Sequence, residues 1–187
     1  MSNTLDVLNS TLTSTLRLWR GTNARGSAQQ PVKHLQLYEF EACPFCRLVR
    51  EALTELDIDA LIYPTPHGGK RFRPKVEKLG GKQQFPFLVD PNSGESMYES
   101  ADIIDYLYRR YGGRPAPSRL LRPIDVTSSV LAGVPRLRGG SHVRPSKAPK
   151  RPLELFSFES SPYSRRVREL LSELELPYLL RSTGKAR

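Results

Sequence analysis

Cysteine is scarce in this chain of 187 residues: there are two, Cys43 and Cys46. A small secreted scaffold held by several disulfides is therefore excluded. Long apolar runs are missing too, and nothing approaches the roughly 18 residues that a membrane-crossing helix needs. Histidine is confined to His34, His67 and His142, which stand at no metal-ligand spacing. A zinc or iron–sulfur site within one chain usually takes about four ligands, so a metal here would need a partner chain or an external thiol, and none is expected. Hydrophobic residues at 38% and charged residues at 26% fit a soluble globular protein with some less ordered sequence.

Acid is short only in places. The net charge is +10, made of +3 in residues 1–34, −2 in 35–112, +7 in 113–150 and +2 in 151–187. A basic chain suggests nucleic acid or an anionic membrane. The segment that reads as a folded domain is slightly acidic, however, and no stacking aromatics accompany the arginines of 113–150. Nucleic acid is not favoured as a partner.

Residues 1–34 read as a tail. Leu5, Leu8, Leu12, Leu16 and Trp19 recur at spacings of three and four, which predicts a short amphipathic helix with these side chains on one face. The favoured reading is a short helix that packs on its own protein or frays. The alternative is an organelle-targeting peptide in residues 1–33, which are Ser-rich, Arg-bearing and poor in acid. A secretory signal is not expected, and the default location is cytoplasmic.

Residues 35–112 alternate between strand and helix patterns. Strands are predicted at 35–40, 60–63, 85–89 and 96–98. Helices are predicted at 44–56, near 74–79, and from Ser100, read as an N-cap, to Gly112. The order is βαβ, a connecting helix, a β-hairpin and a final helix. Residues 113–150 are rich in Pro, Arg, Gly and Ser and read as a linker, with a short helix at 124–134.

The chain then repeats. Residues 35–65 align without gaps on 153–183, an offset of 118, with 14 of 31 positions identical. Such a repeat predicts a second copy of the same fold. A copy of equal length would extend to about residue 230, so residues 151–187 are expected to be a partial copy and the chain a truncated one. A half-domain of this kind is expected to leave an unpaired strand edge and unburied helix faces.

Cys43-Pro44-Phe45-Cys46 falls between a predicted strand and a predicted helix. A thiolate there is stabilised by unpaired backbone N–H groups and by the helix dipole, which lowers its pKa. The second cysteine, one turn on, is placed to attack a mixed disulfide formed on the first. Cys43 is thus the candidate nucleophile and Cys46 the resolving thiol. A metal half-site and two inert buried cysteines are the alternatives.

These residues resemble the glutaredoxins and the thioredoxin-fold N-terminal domain of glutathione S-transferases. The Cys-Pro-Phe-Cys sequence is similar to the glutaredoxin motif. Gln84-Phe85-Pro86-Phe87-Leu88-Val89-Asp90 resembles the family segment that holds a cis-proline, here Pro86. Glu99-Ser100-Ala101-Asp102-Ile103-Ile104 resembles the transferase segment that holds the γ-glutamyl end of glutathione. The resemblance implies an α/β, thioredoxin-like fold: a four-stranded mixed sheet flanked by helices, plus the partial second copy. It implies glutathione as co-substrate, with Pro44, Phe45, Phe85, Pro86, Glu99 and Ser100 around the tripeptide; the basic stretch Lys70-Arg71-Phe72-Arg73-Pro74-Lys75 reads as a solvated loop, with contact to a glutathione carboxylate as the alternative. Disulfides are then the second substrate, and a homodimer or an absent C-terminal half stays open. In the second copy Ser161 and Ser164 replace both cysteines. That copy cannot exchange disulfides, and a structural or degenerate role is expected for it.

Three functions follow as expectations. The leading one is a glutathione-dependent thiol–disulfide oxidoreductase. The second is a glutathione transferase-like enzyme, against which stands the absence of the family's long helical C-terminal domain from this sequence. The third is a non-catalytic tandem binding module.

Overall fold

The computed structural model describes residues 3–25, 29–136, 139–151 and 153–186, except for the side chains of residues 3 and 119. In chain order the elements are α1 (Asn3–Leu16), β1 (Leu35–Glu39), α2 (Pro44–Glu55), β2 (Ala60–Pro64), α3 (Arg73–Gly80), β3 (Phe87–Val89), β4 (Ser96–Met97), α4 (Ser100–Leu107), α5 (Arg122–Gly133), β5 (Leu153–Ser157), α6 (Pro162–Glu173) and β6 (Tyr178–Ser182). A π-helical turn, Tyr108–Gly112, continues α4.

All six strands form one sheet in the order β4-β3-β1-β2-β6-β5. The four strands of residues 35–112 are therefore not a sheet of their own. β1 and β2 run parallel, as do β5 and β6, while β2 meets β6 antiparallel. Leu61 stands directly opposite Leu179, and these two are counterparts in the repeat. A pseudo-two-fold axis thus passes between them. The pairing closes the free edge that β2 would otherwise present. Tyr178 and Leu180 of β6 join Leu37, Val49, Leu53, Ile62, Leu88 and Leu107 in one apolar core.

The two-fold reaches beyond the aligned strands and helix. Arg17 forms an ion pair with Glu51 on α2, and Arg136 forms the matching pair with Glu169 on α6. Ser10 Oγ donates to Pro162 O at 2.8 Å, and Ser129 Oγ donates to Pro44 O at 2.9 Å. Asp6, Val7, Ser10, Leu12, Arg17, Gly21 and Arg25 have counterparts in Asp125, Val126, Ser129, Leu131, Arg136, Gly140 and Arg144, one residue out of step with the downstream offset. α1 thus packs on α6 and α5 on α2. Gly21 and Gly140 both take positive φ, and a Cβ on either would lie 2.8 Å from the Cβ of Glu159 or Glu41. Only glycine lets these crossing segments lie so close.

Two expectations are corrected here. Residues 113–150 do not lie off the body as a linker, because α5 packs on α2 with Ser129 and Ala132 fully buried. The leucine stripe of α1 does not pack inward: Leu5, Leu8, Leu12, Leu16 and Trp19 are exposed, while Ser10, Thr13, Ser14 and Arg17 are buried. The neighbour decides this. α6 presents buried polar groups, Ser160 O, Pro162 O and the Arg165 guanidinium, and these need hydrogen-bond partners. β3 begins at Phe87, later than the sequence pattern indicated; Pro86 has no N–H to give a ladder.

Candidate functional site

β1 delivers the chain to the cysteine turn, and the turn is closed by Cys43 N–H donating to Phe40 O at 3.0 Å. α2 starts at Pro44, whose missing N–H costs nothing at a first helical position. Cys43 is the N-cap residue, and its Sγ accepts from Cys46 N–H at 3.2 Å. Both thiols are free; Cys43 keeps 4% of its surface exposed and Cys46 none.

The two cysteines separate in acidity. Burial pushes the Cys43 thiol up, but hydrogen bonds from the Cys46 thiol and backbone N–H, aided by Arg50, more than offset this, and the net direction is down. Burial drives Cys46 well above the ordinary thiol range, and its thiol donates to Cys43, which also holds its proton on. The N-cap cysteine is therefore the one prepared to ionise.

The Phe85–Pro86 peptide is cis. Phe85 packs edge-on against Phe40 with ring centroids 6.3 Å apart, which brings the proline loop beside the cysteine turn. Arg73 lies over the Phe85 ring, 4.7 Å from its centroid. Gln84 Nε2 donates to the Glu99 carboxylate, joining the proline loop to the start of α4. Phe45 is exposed on the first turn of α2, and Pro44 is half-buried.

The start of α4 differs from the sequence reading. Glu99, not Ser100, is the N-cap residue; it has a φ of 64°, and its side chain makes no cap hydrogen bond. Ser100 is the first helical residue and is buried, and the N–H groups of this helix end carry no side-chain acceptor from Glu99. The basic stretch also divides. Arg71 is held by the second half, donating to Leu174 O at 2.9 Å and to Ser146. Arg73 donates to Pro66 O at 2.7 Å. Among the described residues no group of three or more His, Cys, Asp or Glu side chains is placed to share a metal ion.

Behind the cysteines lies a buried charge cluster that sequence patterns did not single out. Arg50 is 1% exposed and is held by Glu39, by Glu41 at 3.2 Å and by Glu159 at 2.8 Å. Its counterpart Arg168 is held by Glu41 at 3.0 Å and Glu159 at 3.1 Å. Each arginine thus clasps its own half's glutamate and the other half's. Thr54 and Ser172, also counterparts, accept from Glu159 N–H at 3.2 Å and Glu41 N–H at 3.3 Å. The signal was present as Arg50/Arg168 and Glu41/Glu159 identities in the repeat. Charged residues on a helix read as solvated without knowledge that two helices meet.

The serine turn of the second half repeats the geometry of the first. Ser161 is the N-cap residue of α6, and its Oγ accepts from Ser164 N–H at 3.2 Å.

The model of the glutathione S-transferase N-terminal domain family matches residues 37–115 and 155–187, which together are more than half of the chain. No curated protein matches. Among solved structures, a glutathione transferase of Bombyx mori is similar, with 26% sequence identity and a TM-score of 0.41. The match covers 46% of this chain and 39% of that one, so this chain spans well under half the length of that transferase.

Proposed function

Because this chain belongs to the glutathione S-transferase N-terminal domain family, a thioredoxin-like α/β fold, we propose that it is a glutathione-dependent thiol–disulfide oxidoreductase acting through Cys43. One observation carries the reading: the Cys43 sulfur caps α2 by accepting the Cys46 N–H, beside a loop with a cis proline. Glutathione is the co-substrate, with its cysteinyl backbone on Phe85 and Pro86 and its γ-glutamyl carboxylate at the α4 start, near Glu99 and Ser100. Free N–H groups at a helix N-terminus favour a carboxylate. Pro44 and Phe45 line the other side.

In the first step the Cys43 thiolate attacks the glutathionyl sulfur of a mixed disulfide. The bond between Cys43 and glutathione forms, and the substrate leaves as a thiolate that takes up a proton. In the second step a glutathione thiolate attacks the bound glutathionyl sulfur, releasing oxidised glutathione and returning Cys43. Alternatively Cys46 loses its proton and attacks Cys43, closing the intramolecular disulfide and releasing glutathione. The high Cys46 pKa favours the first of these routes.

Reduction of a glutathionylated peptide by the wild type, Cys43→Ser and Cys46→Ser tests this. Activity is expected to vanish in Cys43→Ser and to persist in Cys46→Ser. Turnover surviving Cys43→Ser would sink the mechanism. The family match equally supports a transferase, and conjugation of a model electrophile that is insensitive to Cys43→Ser would favour that reading. Cytoplasmic location belongs to this proposal. Among the described residues no helix is long and apolar enough to cross a membrane.

A further inference from the structure

The pseudo-two-fold is broken at one helix position beside the cysteine. Arg47 and Arg165 are counterparts, and both are buried, 3% and 2% exposed. Their surroundings differ. Arg165 Nη1 donates to Ser10 O at 2.7 Å and to Ser14 Oγ at 2.9 Å, and Ser14 Oγ donates on to Ser160 O at 2.6 Å. Arg47 Nη1 donates to Ser129 O at 3.0 Å, matching the bond to Ser10. The counterpart of Ser14, however, is Gly133. No hydroxyl meets Arg47 there, and the Arg47 Nε has no hydrogen-bond partner. Its ion-pair neighbour Glu159 is 3.9 Å away, beyond hydrogen-bond reach.

Beside Gly133 lies a cavity of about 490 Å³. Pro44, Val130 and Val134 give it apolar walls, and three arginines line it: Arg47, Arg165 and Arg136, the last already held by Glu169 and Asp6. Ala42 and Pro44, the residues on either side of Cys43, both line it. A Cβ built on Gly133 meets nothing within 4 Å, so the helix faces open space there. The carboxylates in the wall are already occupied. Glu41 is held by Arg168 at 3.0 and 3.1 Å, and Glu169 by Arg136 at 2.6 Å. The Nε of Arg165 is likewise without a hydrogen-bond partner, with Glu41 at 3.9 Å, so this unpaired donor is common to both halves and does not come from Gly133. A buried cationic donor left unpaired is costly, and an anion in this cavity would relieve it.

We propose that this cavity binds a small organic anion, an apolar body carrying one carboxylate, with the carboxylate on Arg47 and Arg165 and the body against Pro44, Val130 and Val134. The volume is that of a small-molecule site, mostly apolar with a few convergent polar groups. Binding does not depend on the proposed redox activity. Only its role does: on that reading, the cavity seats the apolar, anionic part of the disulfide that Cys43 attacks.

The test is titration of the full chain with naphthoate, followed by the backbone amide resonances of Val130 and Gly139 in the cavity wall, with Leu79 and Gly94, which are no part of that wall, as control reporters. Saturable shifts are expected at the wall amides and not at the control ones. Gly133→Ser, which restores the hydroxyl found on the other half, is expected to weaken binding at least ten-fold without loss of folding. Arg47→Gln is expected to do the same. Equal binding by neutral naphthalene methanol, unchanged binding in Gly133→Ser, or shifts confined to Leu79 and Gly94 would overturn the proposal. Cys43→Ser should leave the titration intact while abolishing disulfide exchange, which separates failure of this inference from failure of the proposed function.

Discussion

The two halves share a scaffold and differ in what hangs on it. The helix N-terminus that holds Cys43 also holds Ser161, with the same 3.2 Å hydrogen bond to the residue three positions on. Geometry therefore belongs to the βαβ unit, and the chemistry to the atom placed at its turn. The outer faces differ as well. In the first half β3 and α4 cover Leu35, Tyr38 and Val49, which are buried; their counterparts Leu153, Phe156 and Val167 are exposed. The inner faces are alike except at Glu39, whose counterpart is Ser157. There the halves bury charge against each other about the axis through Leu61 and Leu179. Stability is thus built where the halves are alike and reactivity where they diverge.

The largest effect is expected from breaking the likeness at its centre. Arg50→Met and Arg168→Met each remove one of the two arginines that Glu41 and Glu159 share, and leave these buried carboxylates to the other. Removing one partner of a buried ion pair costs about 3–5 kcal/mol, far more than the net worth of the pair. If both halves form one cooperative unit, the two variants should lose similar stability, read from urea midpoints in a single transition. A large loss for Arg50→Met with none for Arg168→Met would show that the second half is a passenger.

A smaller effect sharpens a difference. Glu39 has no acidic counterpart, since Ser157 stands in its place. Burial pushes the Glu39 carboxyl up, Arg50 pulls it down, and Glu41 and Glu159 push it up again, to about 7. Glu159 is also opposed by burial, but Arg168, Arg50 and Arg165 bring it down to about 2. The signs are opposite. Glu39 binds its proton more tightly when folded, so its contribution is full below its ordinary pKa of 4.5 and is lost as pH rises through about 7. The contribution of Glu159 is present above 4.5 and is lost as pH falls towards 2. Glu39→Gln should therefore raise stability at about pH 8, by on the order of 1–3 kcal/mol, and change little at about pH 5. It should also lower the pH at which Cys43 becomes alkylated, because the Glu39 charge raises the Cys43 pKa. Urea midpoints and alkylation rates across this range check both statements, and an equal stability change at the two pH values would refute the assignment.

Local pattern made much of the fold legible. The spacing of Leu48, Val49, Ala52, Leu53 and Leu56 placed α2, and Pro44 placed its start, because helix periodicity and a first-turn proline are properties of a short window. The cysteine turn and the proline loop were recognisable from adjacent residues, while the cap of α4 was placed one residue late, at Ser100 instead of Glu99. What stayed hidden depends on partners distant in sequence. Arg50 and Glu41 look like solvated charges until α6 brings Arg168 and Glu159 against them. The outward leucines of α1 obey the periodicity of a packed helix, yet the polar face wins because α6 offers it unsatisfied carbonyls and a guanidinium. The upstream repeat was missed because it is out of step by one residue, which a gapless alignment cannot follow.

The smallest effect tests whether that one-residue difference in helix chemistry is the source of the cavity. Ser14 is fully buried and satisfies both Arg165 and Ser160 O, at 2.9 and 2.6 Å. Ser14→Gly makes the second half resemble the first. It removes a hydroxyl that serves two groups and puts a glycine into a helix, and the combined cost is about 1–2 kcal/mol. Gly133→Ser is the reverse change on the cysteine side. It fills open space, supplies Arg47 with an acceptor and removes a helical glycine, so a gain of at most about 1 kcal/mol is expected. Thermal unfolding of the two single variants and the double reads the asymmetry directly. The halves exchange properties if loss and gain carry opposite signs and add in the double variant, as distant, independent sites do. A loss on both sides would mean that the backbone near Gly133, and not its missing hydroxyl, sets the Cys43 side apart.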